Sequence, residues 1–135
     1  MPRTGSDHPT ELELQMLKVL WEECPQTARQ IRDSLAKRGR SLAHTSVITT
    51  LQKMVEKGQL QQLPPSSGKA YLFEPQIGEN DVSRRMLGDL VDRVFDGSAE
   101  AVMLSLFDVS DLDESALKRL RRTFNQKMRE MNDDQ

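Results

Sequence analysis

The sequence is poor in residues that form disulfides, membrane spans and large aromatic cores. Cys24 is the only cysteine among 135 residues, which excludes an internal disulfide and a cluster of thiolate metal ligands. Aromatic residues make up 4% of the chain, so we expect a modest core. No run approaches about 18 consecutive apolar residues, and the first nine residues, MPRTGSDHP, lack the apolar stretch of a secretory signal. We therefore expect a cytoplasmic protein.

Catalytic motifs are also missing from the sequence. The only histidines are His8 and His44, and there is no HExxH, GxSxG, phosphate-binding loop or dinucleotide-binding glycine motif. Acid, base and nucleophile groups do not converge in any recognisable pattern. We expect a protein that is not an enzyme and that has no metal site and no cofactor.

Positive charge is concentrated in one segment of a chain whose net charge is −2. Residues 29–69 carry eight cations against two acids, whereas the remainder of the chain is acidic. A basic segment of this kind is typical of a surface that binds phosphates. A solvated basic face is the alternative.

Two capping boxes predict the first two helices. Thr10 with Glu13 starts a helix that ends near residue 23, before the proline at 25. Thr27 with Gln30 starts a second helix, which runs to about residue 38 and is terminated by Gly39.

A third helix is predicted over about 43–57, and its two faces differ sharply. The apolar residues recur at helical spacing and predict a buried stripe of Val47, Ile48, Leu51, Met54 and Val55. The opposite face carries short hydroxyls and one cation, namely Thr45, Ser46, Thr49 and Lys53. Such a face fits a groove of B-DNA, where Ser, Thr and Lys meet phosphates and base edges. An ordinary amphipathic helix is the alternative.

The second and third helices form a helix-turn-helix in outline, and a β-hairpin is predicted to follow them. Extended segments at 60–63 and 70–73 flank the turn sequence PPSSGK. This combination predicts a winged helix, with Lys69 placed to touch a phosphate. We add Arg40, from the same basic segment, to the expected DNA-binding residues.

From residue 80 the pattern is helical again, with apolar stripes that have too few side chains for an independent core. We expect these helices to pair with a second copy of the chain, and packing back onto the winged helix is the alternative. The expected dimer-interface residues are Leu90, Val94, Phe95, Leu117, Leu120 and Phe124. The predicted organisation is a flexible arm (1–9), a winged-helix DNA-binding domain (10–78) and a helical dimerisation region (79–135).

Several segments resemble the penicillinase and methicillin-resistance repressors and their copper-responsive relatives. They run in family order from residue 10 to about residue 127: TELELQMLKVLW, PQTARQIRDSL, AHTSVITTLQKMVEKGQL, GKAYLFEP, VFDGSAEAVMLSLF and LDESALKRLRRTF. The ordered set at these spacings is specific. The fold that it implies is mainly α with a small β-hairpin wing, followed by a carboxyl-terminal helical dimerisation region.

The resemblance implies a homodimeric repressor that reads a palindromic operator in double-stranded DNA. A single recognition helix binds DNA weakly, and two helices gain affinity and specificity when they are tethered over two half-sites. This physical argument supports a dimer. The resemblance, applied position by position, implies that the major-groove face consists of Thr45, Ser46, Thr49, Thr50 and Lys53. His44 lies at the start of the helix.

Two departures from the family pattern bear on the inducing signal. The copper-responsive branch carries paired cysteines near its carboxyl terminus, and this chain has none after Cys24, so copper sensing is rejected. In the β-lactam branch, a membrane-bound sensor metalloprotease relieves repression by cutting an Asn-Phe bond. The aligned pair here is Ser105-Leu106. We expect repression to be relieved by cleavage at this bond, on the ground of its position and not of its residue identities.

Two other classes of regulator compete with this hypothesis. A redox- or ligand-responsive winged helix would use a group such as Cys24, but no cation adjoins that thiol in sequence, and we expect an ordinary, partly buried cysteine. A winged helix that binds protein instead of DNA is the second alternative. The basic segment and the small polar face of the third helix argue against it.

Overall fold

The computed structural model describes residues 8–133, so nearly all of the arm predicted at 1–9 lies outside the described residues. The elements are α1 (Glu11–Glu22), β1 (Gln26–Thr27), α2 (Ala28–Lys37), α3 (His44–Glu56), β2 (Leu60–Leu63), β3 (Leu72–Pro75), α4 (Glu79–Val94), α5 (Ala99–Val109) and α6 (Glu114–Asp133). The predicted fold class, mainly α with a small β wing, is confirmed. The chain divides into two compact units after Asp89, within α4. The sequence placed its boundary between residues 78 and 79.

Both predicted capping boxes are formed. The side chain of Thr10 accepts a hydrogen bond from the Glu13 backbone N–H at 3.2 Å, and Thr27 accepts from the Gln30 N–H at the same distance. Each cap satisfies a backbone donor that the first turn of a helix cannot satisfy itself. These two caps fix where α1 and α2 begin.

Cys24 lies in the short connection after α1 and its side chain is exposed. The prediction of a partly buried thiol was wrong, because α1 ends at Glu22 and the next residues to enter the core belong to β1 and α2. The Cys24-Pro25 peptide bond is cis.

The carboxyl end of α3 is closed by a Schellman motif. Gly58 has a φ of +82°, the Gln59 N–H donates to the Met54 carbonyl at 2.9 Å, and the Gly58 N–H donates to the Val55 carbonyl at 3.0 Å. The predicted C-cap glycine is therefore confirmed. The motif turns the chain out of α3 and directly into β2.

The wing is part of a three-stranded antiparallel sheet with the order β1-β3-β2. Phe73 lies between Gln26 of β1 and Gln62 of β2, and it is buried. The sequence predicted the hairpin but not β1. It also placed the second strand at 70–73, whereas β3 begins at Leu72, where pairing with both neighbours begins.

The core of the first unit lies between α1, α2 and α3, and α1 also packs against β3. Leu17, Leu20, Ile31, Leu35 and Leu51 are almost completely buried in it. The Trp21 ring packs against this core, and its indole N–H donates to the Ile77 carbonyl at 2.9 Å. In this core, α3 lies with one side inward.

A buried carboxylate ties the start of α1 to the end of α3. Glu13 is 3% exposed, and its carboxylate accepts from Lys57 Nζ at 2.8 Å, from the Thr10 N–H at 3.0 Å and from Gln59 Nε2 at 3.4 Å. Burial raises the pKa of Glu13, but the Lys57 hydrogen bond, the Thr10 N–H, the Lys57 charge and Gln59 together outweigh it. The pKa therefore lies below its ordinary value of 4.5.

The second unit comprises the end of α4 together with α5 and α6. The short apolar segment predicted at 101–107 is a helix of 11 residues, capped by Ser98, whose hydroxyl accepts from the Ala101 N–H at 3.0 Å. The 20-residue α6 buries none of its side chains. No helix among residues 8–133 is long and apolar enough to cross a membrane.

Candidate nucleic-acid interface

The two faces of α3 are separated as the sequence predicted. Val47, Leu51 and Met54 are completely buried, and Ile48 and Val55 pack partly buried against the same core. We use the name outer face of α3 for the exposed residues Thr45, Ser46, Thr49 and Lys53. Because this face has short hydroxyl side chains and one ammonium group but no bulky side chain, the helix can approach base edges and phosphates closely.

The remaining predicted DNA-binding residues lie in different surroundings. His44, the first residue of α3, is exposed, and Lys69 is exposed in the loop between β2 and β3. Thr50 is half-buried, and its hydroxyl donates to the Ser46 carbonyl at 2.9 Å, so its oxygen is left as an acceptor. Arg40 is half-buried, with Nη1 donating to Gln15 Oε1 at 3.4 Å.

A cleft of about 420 Å³ lies between the start of α2, one side of α3 and the hairpin, and we call it the wing cleft. It brings together His44 and Lys69, which the sequence predicted, with Arg29 and Tyr71, which it did not. Tyr71 is 53% exposed. The only sequence signal for Arg29 was its place in the basic segment, and Tyr71 carried none.

The predicted dimer-interface residues all belong to the second unit. Five of them are exposed, with exposed fractions between 36% and 62%: Leu90, Val94, Leu117, Leu120 and Phe124. Phe95 is half-buried. Large exposed apolar patches are typical of interaction sites.

The predicted cleavage bond lies on α5, beside part of that apolar surface. Ser105 is half-buried, and Leu106 is 47% exposed. An apolar cleft of about 330 Å³ brings Leu106 together with Leu120 and Phe124. The structure thus places one side of the candidate bond next to candidate interface residues of α6.

Within residues 8–133, no group of three or more His, Cys, Asp or Glu side chains is arranged to hold a metal ion. What the described residues do present is a helix-turn-helix and a β-hairpin wing, both within the basic segment 29–69 and its flanks. This fold and charge define a DNA-binding protein of the winged-helix class.

Comparison with known proteins identifies the family. The profile of the family described as penicillinase repressor matches residues 9–126, and the chain belongs to this family. The transcriptional regulator BlaI of Mycobacterium tuberculosis, from two strains, is 30% identical over 112 residues, covering 81% of this chain and 79% of the relative. The penicillinase repressor of Bacillus licheniformis is 20% identical over 111 residues, covering 82% and 84%. The protein is a transcriptional repressor, not an enzyme.

Proposed function

We propose that the protein represses transcription by binding a palindromic operator as a homodimer in the cytoplasm, with the outer face of α3 in the major groove. One observation carries the proposal. The outer face of α3 presents Thr45, Ser46, Thr49 and Lys53 to solvent, while the opposite side of the same helix is locked in the core. Thr49 reads a base edge, and Lys53 and Lys69 neutralise phosphates.

Dimerisation rests on α6. Its apolar stripe includes Leu117, Leu120 and Phe124, each more than a third exposed, and Met128 and Met131 extend it at 61% and 64% exposure. Most of the stability of a helix in a protein comes from packing an apolar face rather than from helix propensity. A second copy of α6 supplies that packing. The tether then holds two α3 helices over two half-sites.

The test is fluorescence anisotropy of the full-length protein with random-sequence and operator duplexes over a salt series. Lys53→Ala or Lys69→Ala removes one phosphate contact per subunit, so binding to every sequence weakens and the salt slope falls by about one per subunit. Thr49→Ala changes the preference among operators, by roughly 1 kcal/mol, because it removes a base contact.

Lys18→Ala is the matched control, since it removes an exposed cation of α1 outside the basic segment. It should leave both the slope and the preference unchanged. If Lys53→Ala, Lys69→Ala and Thr49→Ala all bind like the unmodified protein, the outer face of α3 does not contact DNA. Retention of no duplex at any salt would instead favour a protein-binding winged helix.

Relief of repression by cleavage at Ser105-Leu106 is a second proposal, with a membrane-bound sensor metalloprotease as the partner. The apolar cleft that joins Leu106 to Leu120 and Phe124 supports it. A cut in α5 separates α6 from the rest of the chain, which loosens the dimer and lowers the linked half-site affinity. Because a protease needs locally unfolded backbone, α5 must open before the bond is cut.

Mass spectrometry of the protein from induced cells tests this proposal. A fragment that ends at Ser105, appearing together with expression of the repressed genes, is the expected result. If those genes are expressed while the protein remains full-length, cleavage is not the switch.

A further inference from the structure

We propose that the buried carboxylate of Glu13 is a positioning residue for DNA binding, which fixes the carboxyl end of α3 relative to the wing hairpin. This inference rests on the proposed binding of duplex DNA by the outer face of α3 and by Lys69 of the hairpin. Glu13 is 3% exposed and therefore cannot contact DNA itself. It acts through the three residues that join α3 to β2, namely Lys57, Gly58 and Gln59, which we call the α3–β2 connection.

The carboxylate holds both ends of this connection. Glu13 Oε2 accepts from Lys57 Nζ at 2.8 Å, and Glu13 Oε1 accepts from Gln59 Nε2 at 3.4 Å. Lys57 directly follows the last residue of α3, and its N–H donates to the Lys53 carbonyl at 2.9 Å. Lys53 belongs to the outer face of α3. A displacement of Lys57 therefore moves the end of α3 that is proposed to contact a phosphate.

The other end of the connection is the base of the wing. Gln59 directly precedes β2, and its carbonyl accepts at 2.8 Å from the N–H of Gln76, which directly follows β3. This bond closes the hairpin at its base. One residue further on, the Ile77 carbonyl accepts from the indole N–H of Trp21 at 2.9 Å. Two side chains of α1, those of Glu13 and Trp21, thus hold the base of the wing, and Glu13 holds α3 as well.

A carboxylate is the group that its three donors require. Besides Lys57 and Gln59, the Thr10 N–H donates to it at 3.0 Å. The Glu13→Gln side chain has one acceptor oxygen and an amide that donates, so it cannot accept from all three. Gln59 Oε1 is buried and has no hydrogen-bond partner in the part of the chain that the structure describes. After rotation of the Gln59 amide, that oxygen can accept from the amide of Glu13→Gln, whose own oxygen can keep the cap of α1. The substitution therefore removes the contact with Lys57 alone.

The experiment is fluorescence anisotropy of the full-length protein with two probes. One is a duplex selected from a random-sequence pool by the unmodified protein, and the other is random-sequence duplex. Glu13→Gln should weaken binding to the selected duplex by roughly fivefold or more, because a displaced base contact is worth at least that factor. Binding to random-sequence duplex should change by less than about twofold, since it requires only neutralised phosphates. Loss of a negative charge would by itself strengthen binding, so the direction of the effect separates positioning from charge.

Two control variants test charge and stability separately. Glu11→Gln removes an exposed carboxylate from the same first turn of α1 and should weaken binding to neither probe. Ile31→Val opens a small cavity in the same core from α2, and it should leave the ratio of the two affinities unchanged. Thermal melting verifies that each variant is folded at the assay temperature. A ratio lowered equally by Ile31→Val would mean that Glu13 acts through stability alone, and would overturn the inference.

Lys57→Met provides a second route to the same contact, and it carries the test if Glu13→Gln is unfolded. It should weaken binding to the selected duplex without lowering the slope of log affinity against log salt, because Lys57 is proposed to act through Glu13 and not on a phosphate. The double variant should bind no more weakly than Lys57→Met.

Three results would overturn the inference while leaving the proposed function in place. They are an unchanged affinity ratio in Glu13→Gln, a lower salt slope in Lys57→Met, and additive losses in the double variant, each observed while Lys53→Ala still weakens binding. If the unmodified protein binds no duplex, the proposed function and this inference both fail.

Discussion

Glu13 shows how one side chain can both begin a helix and fix the far end of another. Its backbone N–H donates to Thr10, while its carboxylate accepts from Lys57, just after the last residue of α3. Through that contact, the start of α1 is tied to the carboxyl end of α3. A capping box was predictable from local sequence, but the partnership with Lys57 spans 44 residues and was not.

The lowered pKa of Glu13 predicts a specific acid sensitivity. In the unfolded chain the carboxyl titrates near its ordinary 4.5, and in the folded protein it titrates lower. The unfolded state therefore binds more protons as pH falls, and the stabilisation that is complete at neutral pH is lost below about pH 4.5. Glu13→Gln should lower the free energy of unfolding by about 1–3 kcal/mol at pH 7 and by progressively less in acid.

Urea unfolding over a pH series measures this effect. Glu11→Gln is the matched control, because Glu11 is an exposed carboxylate in the same first turn, and it should cost less than about 1 kcal/mol. A difference between Glu13→Gln and the unmodified protein that stays constant into acid would contradict the account.

At the scale of elements, the helices were predictable because their signals are local. The capping residues and the apolar spacing located α1, α2 and α3 to within about two residues. The strands were harder, because a strand exists only where a partner pairs with it. Gln26 and Thr27 carry no strand pattern and form β1 solely by pairing with β3. The start of β3 at Leu72 reflects the same pairing.

The candidate site also has one part that was predictable from local sequence and one part that was not. The outer face of α3 lies on one helix, so helical spacing alone predicted its exposure. The wing cleft combines α2, α3 and the hairpin, and its residues become neighbours only in the folded chain. The sequence placed Arg29 in the basic segment, but it could not show that Arg29 and Tyr71 line one cleft.

The end of α3 gives a test at the scale of one element. Gly58 adopts a φ of +82°, which an L side chain adopts only with strain, although no atom blocks a Cβ there. Gly58→Ala should lower the free energy of unfolding by about 1 kcal/mol through backbone strain alone. Gly88→Ala is the control, since Gly88 has equal space and no positive φ and lies inside α4, so the substitution should leave the free energy of unfolding unchanged or raise it by up to about 1 kcal/mol. Equal effects of the two substitutions in thermal unfolding would refute this explanation.

At the scale of the whole molecule, the two units differ in how much of their apolar side-chain surface is exposed to water. The first unit buries its large apolar side chains between three helices, whereas the second leaves many of its own exposed. This contrast supports the roles that we propose for the two units. The first unit binds DNA, and the second unit binds the second unit of another copy of the chain.

Charge on the stripe of α6 should separate the subunits. Leu120→Glu places a carboxylate in the proposed interface, where burying an unpaired charge costs several kcal/mol, so sedimentation should shift from dimer to monomer. Gln126→Glu adds the same charge on the opposite side of α6 and should leave the dimer intact. If Leu120→Glu still sediments as a dimer, the interface lies elsewhere.

The most direct test of a dimer on a palindromic operator is selection of duplexes from a random-sequence pool by the full-length protein. The enriched sequences should contain an inverted repeat whose half-sites are centred about 10 base pairs apart, or a multiple of that distance, because two α3 helices must enter the major groove on one side of the DNA. Enrichment of a single unrepeated site, or of no sequence at all, would contradict it.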